Sequence, residues 1–273
     1  YKNTGIHLPE SKLSLLSNRL RKRLKALNLD SFDAYYRLIR SKSGYEQEEP
    51  HFLSAVTTNE TYFFRNTKLW DYFEHEFLPE LVKRKKTKSI RIWSAASSTG
   101  AEAYTTAILL REKLPDFPSW SVKIIGSDIS KNALDSAQAA VYNDYALSKT
   151  SETRVKRWFT KKGDDYELND EIRKMVHFQF HNLRDAFPNA RFDLVFLRNV
   201  LMYFDNAMKK RVITIVSDAL VPGGLLIIGD VDPIRTTAEL NAHMKLDYVR
   251  PGTYQKPIGE SSAAPDKKQL VRH

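Results

Sequence analysis

Four short stretches carry residue types whose spacing suits ligand chemistry. Ser94-Ala-Ala-Ser-Ser-Thr-Gly100-Ala-Glu102 is a run of small residues leading straight into a helical pattern. Small side chains let a ligand approach the backbone, and a helix amino end offers it N–H groups; a tight strand-to-helix turn is the structural alternative. Asp128 closes the next β-branched run. A carboxylate there takes both hydroxyls of a ribose, or else caps the helix that starts near Lys131. Together the small-residue loop and the acid one strand later imply an adenosine-containing ligand. A dinucleotide fits poorly, because G-x-G-x-x-G is absent and the loop holds a single glycine. In Leu197-Arg-Asn-Val-Leu-Met-Tyr-Phe204 the Arg198-Asn199 pair is poor core filler at a strand end. Tyr203 and Phe204, by spacing alone, read better as packing residues at a helix start. Thr57-Thr-Asn-Glu-Thr-Tyr-Phe-Phe-Arg65 holds more hydroxyl and amide groups than a capping segment needs, and reads as a ligand-facing loop.

These stretches need elements to hold them. Leu13, Leu16, Leu20, Leu24 and Leu27 share one helical face, with Arg19, Arg21, Lys22, Arg23 and Lys25 mostly off it. Asp30 or Ser31 caps a second helix carrying Phe32, Tyr35, Tyr36 and Ile39, and the polar block from Ser41 to Glu49 reads as a connection. A further helix carries Trp70, Phe73, Phe77 and Leu81 and closes in the basic run Lys83 to Lys88. Beyond it, β-branched stretches alternate with helical ones, as in a parallel sheet with crossover helices. Strands are expected at 91–96, 122–128, 192–197 and 225–229, with helices at 101–113, 131–142 and 206–220 and a Pro222-Gly223-Gly224 turn before the last strand. The charged stretch 145–174, with its Gly163-Asp164-Asp165 turn signal, breaks the alternation and reads as an insertion with its own hairpin.

Composition bounds the function. With 42% hydrophobic residues, the 273-residue chain can bury a sizeable core. No apolar run nears the roughly 20 residues of a membrane span, and no Arg-flanked leader precedes the first helix. With no membrane insertion expected, the cytoplasm is the expected compartment. The absence of cysteine excludes disulfides, thiolate metal sites and a cysteine nucleophile, and no metal is expected. A net charge of +10 favours acidic partners.

The blocks T-T-N-E-T-Y-F-F-R, W-S-A-A-S-S-T-G-A-E-A-Y, G-S-D-I-S and L-R-N-V-L-M-Y-F-D stand in one order over nearly the whole chain. They resemble the CheR family of chemotaxis receptor methyltransferases, which are protein-glutamate O-methyltransferases. The resemblance implies an α/β, Rossmann-like class I S-adenosylmethionine-dependent methyltransferase sheet. It adds a small N-terminal helical domain and a small inserted antiparallel β subdomain. These fall at about residues 1–70 (helical), 71–255 (methyltransferase) and 145–176 (insert), with a flexible tail at 256–273. Cofactor contacts are implied from Asn59, Thr61, Arg65, Glu102, Asp128, Asn182, Leu183, Arg198 and Asn199, with Arg65 and Tyr203 beside the reacting carboxylate. Ala101 and Ala103 stand where the family usually has an acid and a proline, and Gly229-Asp-Val-Asp-Pro233 replaces a G-x-S-E-like turn at the substrate rim.

The implied reaction moves a methyl from S-adenosylmethionine to a glutamate carboxylate of a chemoreceptor's cytoplasmic helical bundle, leaving S-adenosylhomocysteine. The receptor's methylation helices are acidic, so Arg19, Arg21, Lys22 and Arg23 are expected to dock them, with a merely solvated charged face as the alternative. The short loop after Phe159 resembles members that use no C-terminal peptide tether. Two rivals stand beside this. A methyltransferase acting on nucleic acid or another protein suits the charge, but the cysteine of C5 chemistry and a D/N-P-P-Y/F strand end are missing, and no nucleic-acid partner is expected. A cofactor-sensing module without catalysis suits Ala101 and the Gly229-Asp230 turn.

Overall fold

The computed structural model describes residues 4–6, 10, 13–57, 59–229 and 245–258. Three helices lead: α1 (Leu13–Ala26), α2 (Phe32–Arg40) and α3 (Lys42–Val56). Leu20 and Leu24 of the leucine stripe are buried with Tyr35, whereas Leu13 is 52% exposed, and Phe32 and Tyr36 also face out. Ser31 caps α2. The block expected to connect, Ser41 to Glu49, is instead most of α3, capped by the Ser41 hydroxyl. Its polarity misleads because Glu48 is a core residue. Glu48 accepts from Arg23 at 2.5 and 2.8 Å and from the Tyr35 hydroxyl at 3.0 Å.

The Trp70–Leu81 stripe is buried as expected but is not one regular helix. It runs through α4 (Thr67–Tyr72), a π-helical turn (Phe73–Phe77) and α5 (Leu78–Arg84). Pro79 lacks an N–H to donate to the preceding turn, and the widened turn sits just before it. Phe63, Phe64 and Trp70 pack in the same core as this stripe.

Then comes the alternation: β1 (Ser89–Ala95), α6 (Ala101–Lys113), β2 (Ser121–Asp128) and α7 (Lys131–Ala139). The helix expected to reach Tyr142 stops at Ala139. Ala140 is left-handed, and β3 (Val141–Tyr142) joins the inserted sheet instead. The insert continues with α8 (Asp144–Leu147), α9 (Glu152–Trp158), β4 (Phe159–Lys162), β5 (Asp165–Leu168) and α10 (Asp170–Arg173). Its sheet is antiparallel in the order β3-β5-β4, and Gly163-Asp164 make the expected hairpin turn.

The chain returns through β6 (Val176–Phe180), β7 (Phe192–Leu197), α11 (Asn206–Ala219), β8 (Leu220–Ile228), β9 (Asp247–Arg250) and β10 (Thr253–Gln255). Pro222-Gly223-Gly224 lies inside β8, where the register with β7 shifts, so it is an irregularity within the strand and not a turn before it. The rim residues from Asp230 to Pro233 lie outside the described residues. So does the expected tail from 259, while Lys256 is bonded to Gly223 and Gly224 beside β8.

The main sheet has the order β6-β2-β1-β7-β8-β10-β9, parallel from β6 to β8. The chain builds outward from β1 to β2 and β6, then crosses back to β7 and β8. The reversal therefore falls between β1 and β7, where a crevice opens at the strands' carboxyl ends.

Candidate functional site

The loops after β1 and β7 flank that crevice. The first, Ala96 to Gly100, turns by left-handed residues at Ala96, Ser98 and Gly100. A Cβ on Gly100 would lie 2.7 Å from Phe178 Cζ, so the glycine serves both φ and packing. Ser97 N–H donates to Ser127 O, and the Ser98 hydroxyl donates to Asn59 O at 2.8 Å, which fastens the Asn59 segment across the loop.

Asp128 ends β2 and is buried. Its Oδ2 accepts from Ser98 N at 2.8 Å and its Oδ1 from Ser130 N at 2.8 Å. Ser130, not Asp128, caps α7. Burial raises the Asp128 pKa, partly offset by the N–H groups of Ser130, Ser98 and Ile129. The three N–H groups leave part of the carboxylate's acceptor capacity for a further donor.

A hollow of about 660 Å³ holds Asn59, Asp128, Asn182, Leu183, Asn199 and Tyr203 in its wall. A second, of about 460 Å³, is lined by Thr61, Arg65, Glu102, Arg198 and Asn199. The two share Ala96, Ser98 and Asn199, so they adjoin. Arg65 and Tyr203, both expected beside the reacting carboxylate, line different, adjoining hollows. Glu102 accepts from the Ser94 hydroxyl at 2.7 Å and pairs with Arg198 at 2.9 Å; Arg198 also donates to Arg65 O at 3.0 Å. Arg65 itself donates from Nη1 to Glu60 O at 3.0 Å. Tyr203 closes a short 3-10 turn before α11 and is only half-buried, whereas Phe204 is core.

Residues that sequence reasoning missed also line the first hollow: Thr4, Ile6, Val56, Ile129, His181 and Val200. Ile6 reaches it through a backbone bridge to Phe204. His181 packs its ring on Trp93 and Phe187, and burial lowers its pKa, which favours the neutral imidazole. Ile129, Val56, His181 and Val200 each adjoin a residue singled out in the sequence, whereas Thr4 and Ile6 had no signal nearby.

Of the expected docking residues, Arg19 donates to Ala55 O and Thr57 O at 3.2 and 2.9 Å, and Arg23 is held by Glu48. Both guanidinium groups tie the N-terminal helices together. Arg21 and Lys22 are exposed. Lys22 lines an open hollow that reaches Thr57 and Asn59 of the site loop.

S-adenosylmethionine fits these residues. Ser97 Oγ, His181 Nε2 and Arg198 Nε are buried around the hollows with no hydrogen-bond partner among the described residues. Asp128 suits a ribose, and Glu102 with Arg198 suits an amino-acid end. A switch-point crevice of this make-up on a doubly wound sheet defines a class I S-adenosylmethionine-dependent methyltransferase. The profile described as "CheR methyltransferase, SAM binding domain" matches residues 59–249, and "CheR methyltransferase, all-alpha domain" matches 1–57. The chemotaxis protein methyltransferase of Borreliella burgdorferi is 32% identical over 94% of this chain and 90% of its own. A probable chemotaxis protein methyltransferase of Rhizobium etli is 32% identical over 88% and 91%, and chemotaxis protein methyltransferase 2 of Pseudomonas aeruginosa 36% over 84% and 81%. The chain belongs to the CheR methyltransferase family.

Proposed function

We propose that the chain methylates glutamate side chains of chemoreceptors, forming glutamate methyl esters. Bound in the adjoining hollows, S-adenosylmethionine supplies an electrophilic methyl on a sulfonium. Asp128 holds the ribose hydroxyls, Asn182 and Leu183 flank the adenine, and Asn59, Thr61, Glu102, Arg198 and Asn199 hold the remainder. A glutamate, with an unperturbed pKa of about 4.3, arrives ionised and needs no general base. The protein's task is to align and partly desolvate it, within about 3–3.5 Å of its target.

The observation that carries the reading is Arg65, half-buried in the second hollow, with its guanidinium held on the Glu60 carbonyl over the Tyr62 ring. One positioned cation orients a carboxylate without a full ion pair that would quench it. Tyr203 lines the adjoining hollow, and its phenol is assigned to the acceptor from that side. Arg21 and Lys22 provide the exposed charge that docks an acidic receptor helix, and the tight β4–β5 turn suits a receptor engaged without a peptide tether.

The test is incubation with methyl-labelled cofactor and a receptor cytoplasmic fragment, then alkali. Esters release volatile methanol. Label that resists alkali, or no transfer, rejects the proposal.

A further inference from the structure

The loop that carries Arg65 is fastened to the inserted subdomain. Phe63 N–H donates to Ala146 O of α8 at 2.9 Å, and the fully buried Phe63 ring packs edge-on against Tyr142 and Phe159 at 4.8 and 5.1 Å. That pins the backbone. The Arg65 side chain is directed by two further contacts, and both lead back to one residue of α8. The Tyr145 hydroxyl donates to the Glu60 carboxylate, and Glu60 is the residue whose carbonyl accepts from Arg65 Nη1 at 3.0 Å. The Tyr145 ring meets the Tyr62 ring edge-on at 6.1 Å, and Tyr62 lies 5.6 Å beneath the Arg65 guanidinium.

We propose that Tyr145 is a positioning residue for the methyl-accepting site. Its hydroxyl holds the side chain of Glu60, the residue whose backbone carbonyl receives Arg65, and its ring holds the ring on which Arg65 rests. This rests on the assignment of Arg65 to the acceptor made above. A long cationic side chain at a rim samples many rotamers. Ordering it before the acceptor arrives moves that entropic cost out of the reacting complex. The hydrogen bond to Glu60 raises the Tyr145 pKa, so the phenol remains a donor. Tyr145 is 54% exposed, so its replacement leaves the core intact. The inserted subdomain thereby gains a role in turnover, through α8.

A double-mutant cycle tests this, using single-turnover transfer from methyl-labelled cofactor to the receptor fragment and calorimetry with S-adenosylhomocysteine. Tyr145→Phe, which keeps the ring, should lower the transfer rate about three- to tenfold, and Tyr145→Ala further. Cofactor affinity should fall less than the rate. In an Arg65→Ala background both substitutions should change the rate less than about twofold, because the group they position is gone. Unchanged rates in the single Tyr145 variants, or losses that add to that of Arg65→Ala, overturn the positioning role while leaving Arg65 in place. An Arg65→Ala protein with the parent rate overturns both assignments.

Discussion

At the residue scale, Asp128 anchors the account. Replacing it with Ala should weaken cofactor binding by about 1.5–3 kcal/mol, the worth of charge-assisted hydrogen bonds; calorimetry showing unchanged affinity removes it from the site. Its raised pKa adds a pH signature. Hydroxyl donors favour the ionised carboxylate, so affinity is full above that pKa and declines as pH falls through it, beginning above the ordinary aspartate range. Asp128→Asn should flatten this profile while His181 is present in both proteins. Tyr203→Phe should slow transfer more than it weakens binding; equal losses would assign Tyr203 to binding alone. Asp128 and Arg198 drew attention as charged residues at strand ends, whereas Glu102, an acid that a helix start accommodates in any case, was named only through the family resemblance. His181 and Thr4 were missed. One lies just past β6, where no strand was expected, and the other comes near only through the Ile6–Phe204 bridge.

At the element scale, α3 shows how a polar sequence hides a core. Glu48 is 2% exposed, and its ion pair and hydroxyl bond join all three leading helices. Glu48→Ala should cost about 1–3 kcal/mol by stranding the buried Tyr35 hydroxyl and loosening Arg23, read as a lower midpoint in denaturant; no shift would make the pair dispensable. Docking is therefore tested at Arg21 and Lys22, since reversing Arg23 would set two carboxylates together. Arg21→Glu with Lys22→Glu should raise the apparent KM for receptor, and the rise should shrink with salt. A change insensitive to salt would favour a merely solvated face. Boundaries set by local signals, the small-residue loop and Pro115 around Ala101–Lys113 and the apolar run Phe192–Leu197, match the structure. The misread ones involve a long-range partner: β5 claims Val141 and Tyr142, and Lys256 bonds Gly223 and Gly224 within β8.

At the scale of the whole molecule, the strand order matters most. Alternating strands and helices foretold a parallel sheet, but the reversal between β1 and β7 depends on pairings that no local pattern encodes. That reversal brings Ala95 and Leu197 to neighbouring strand ends and so sets the small-residue loop beside Arg198 and Asn199. Among the described residues no helix is long and apolar enough to cross a membrane. The central claim is that the two adjoining hollows form one site, with the reacting centre between Arg65 and Tyr203. A crystal structure with S-adenosylhomocysteine tests it most directly. The account predicts Asp128 on both ribose hydroxyls and the sulfur where the hollows meet, beside Ala96, Ser98 and Asn199. A nucleoside bound away from Asp128, or a sulfur remote from both Arg65 and Tyr203, would contradict it.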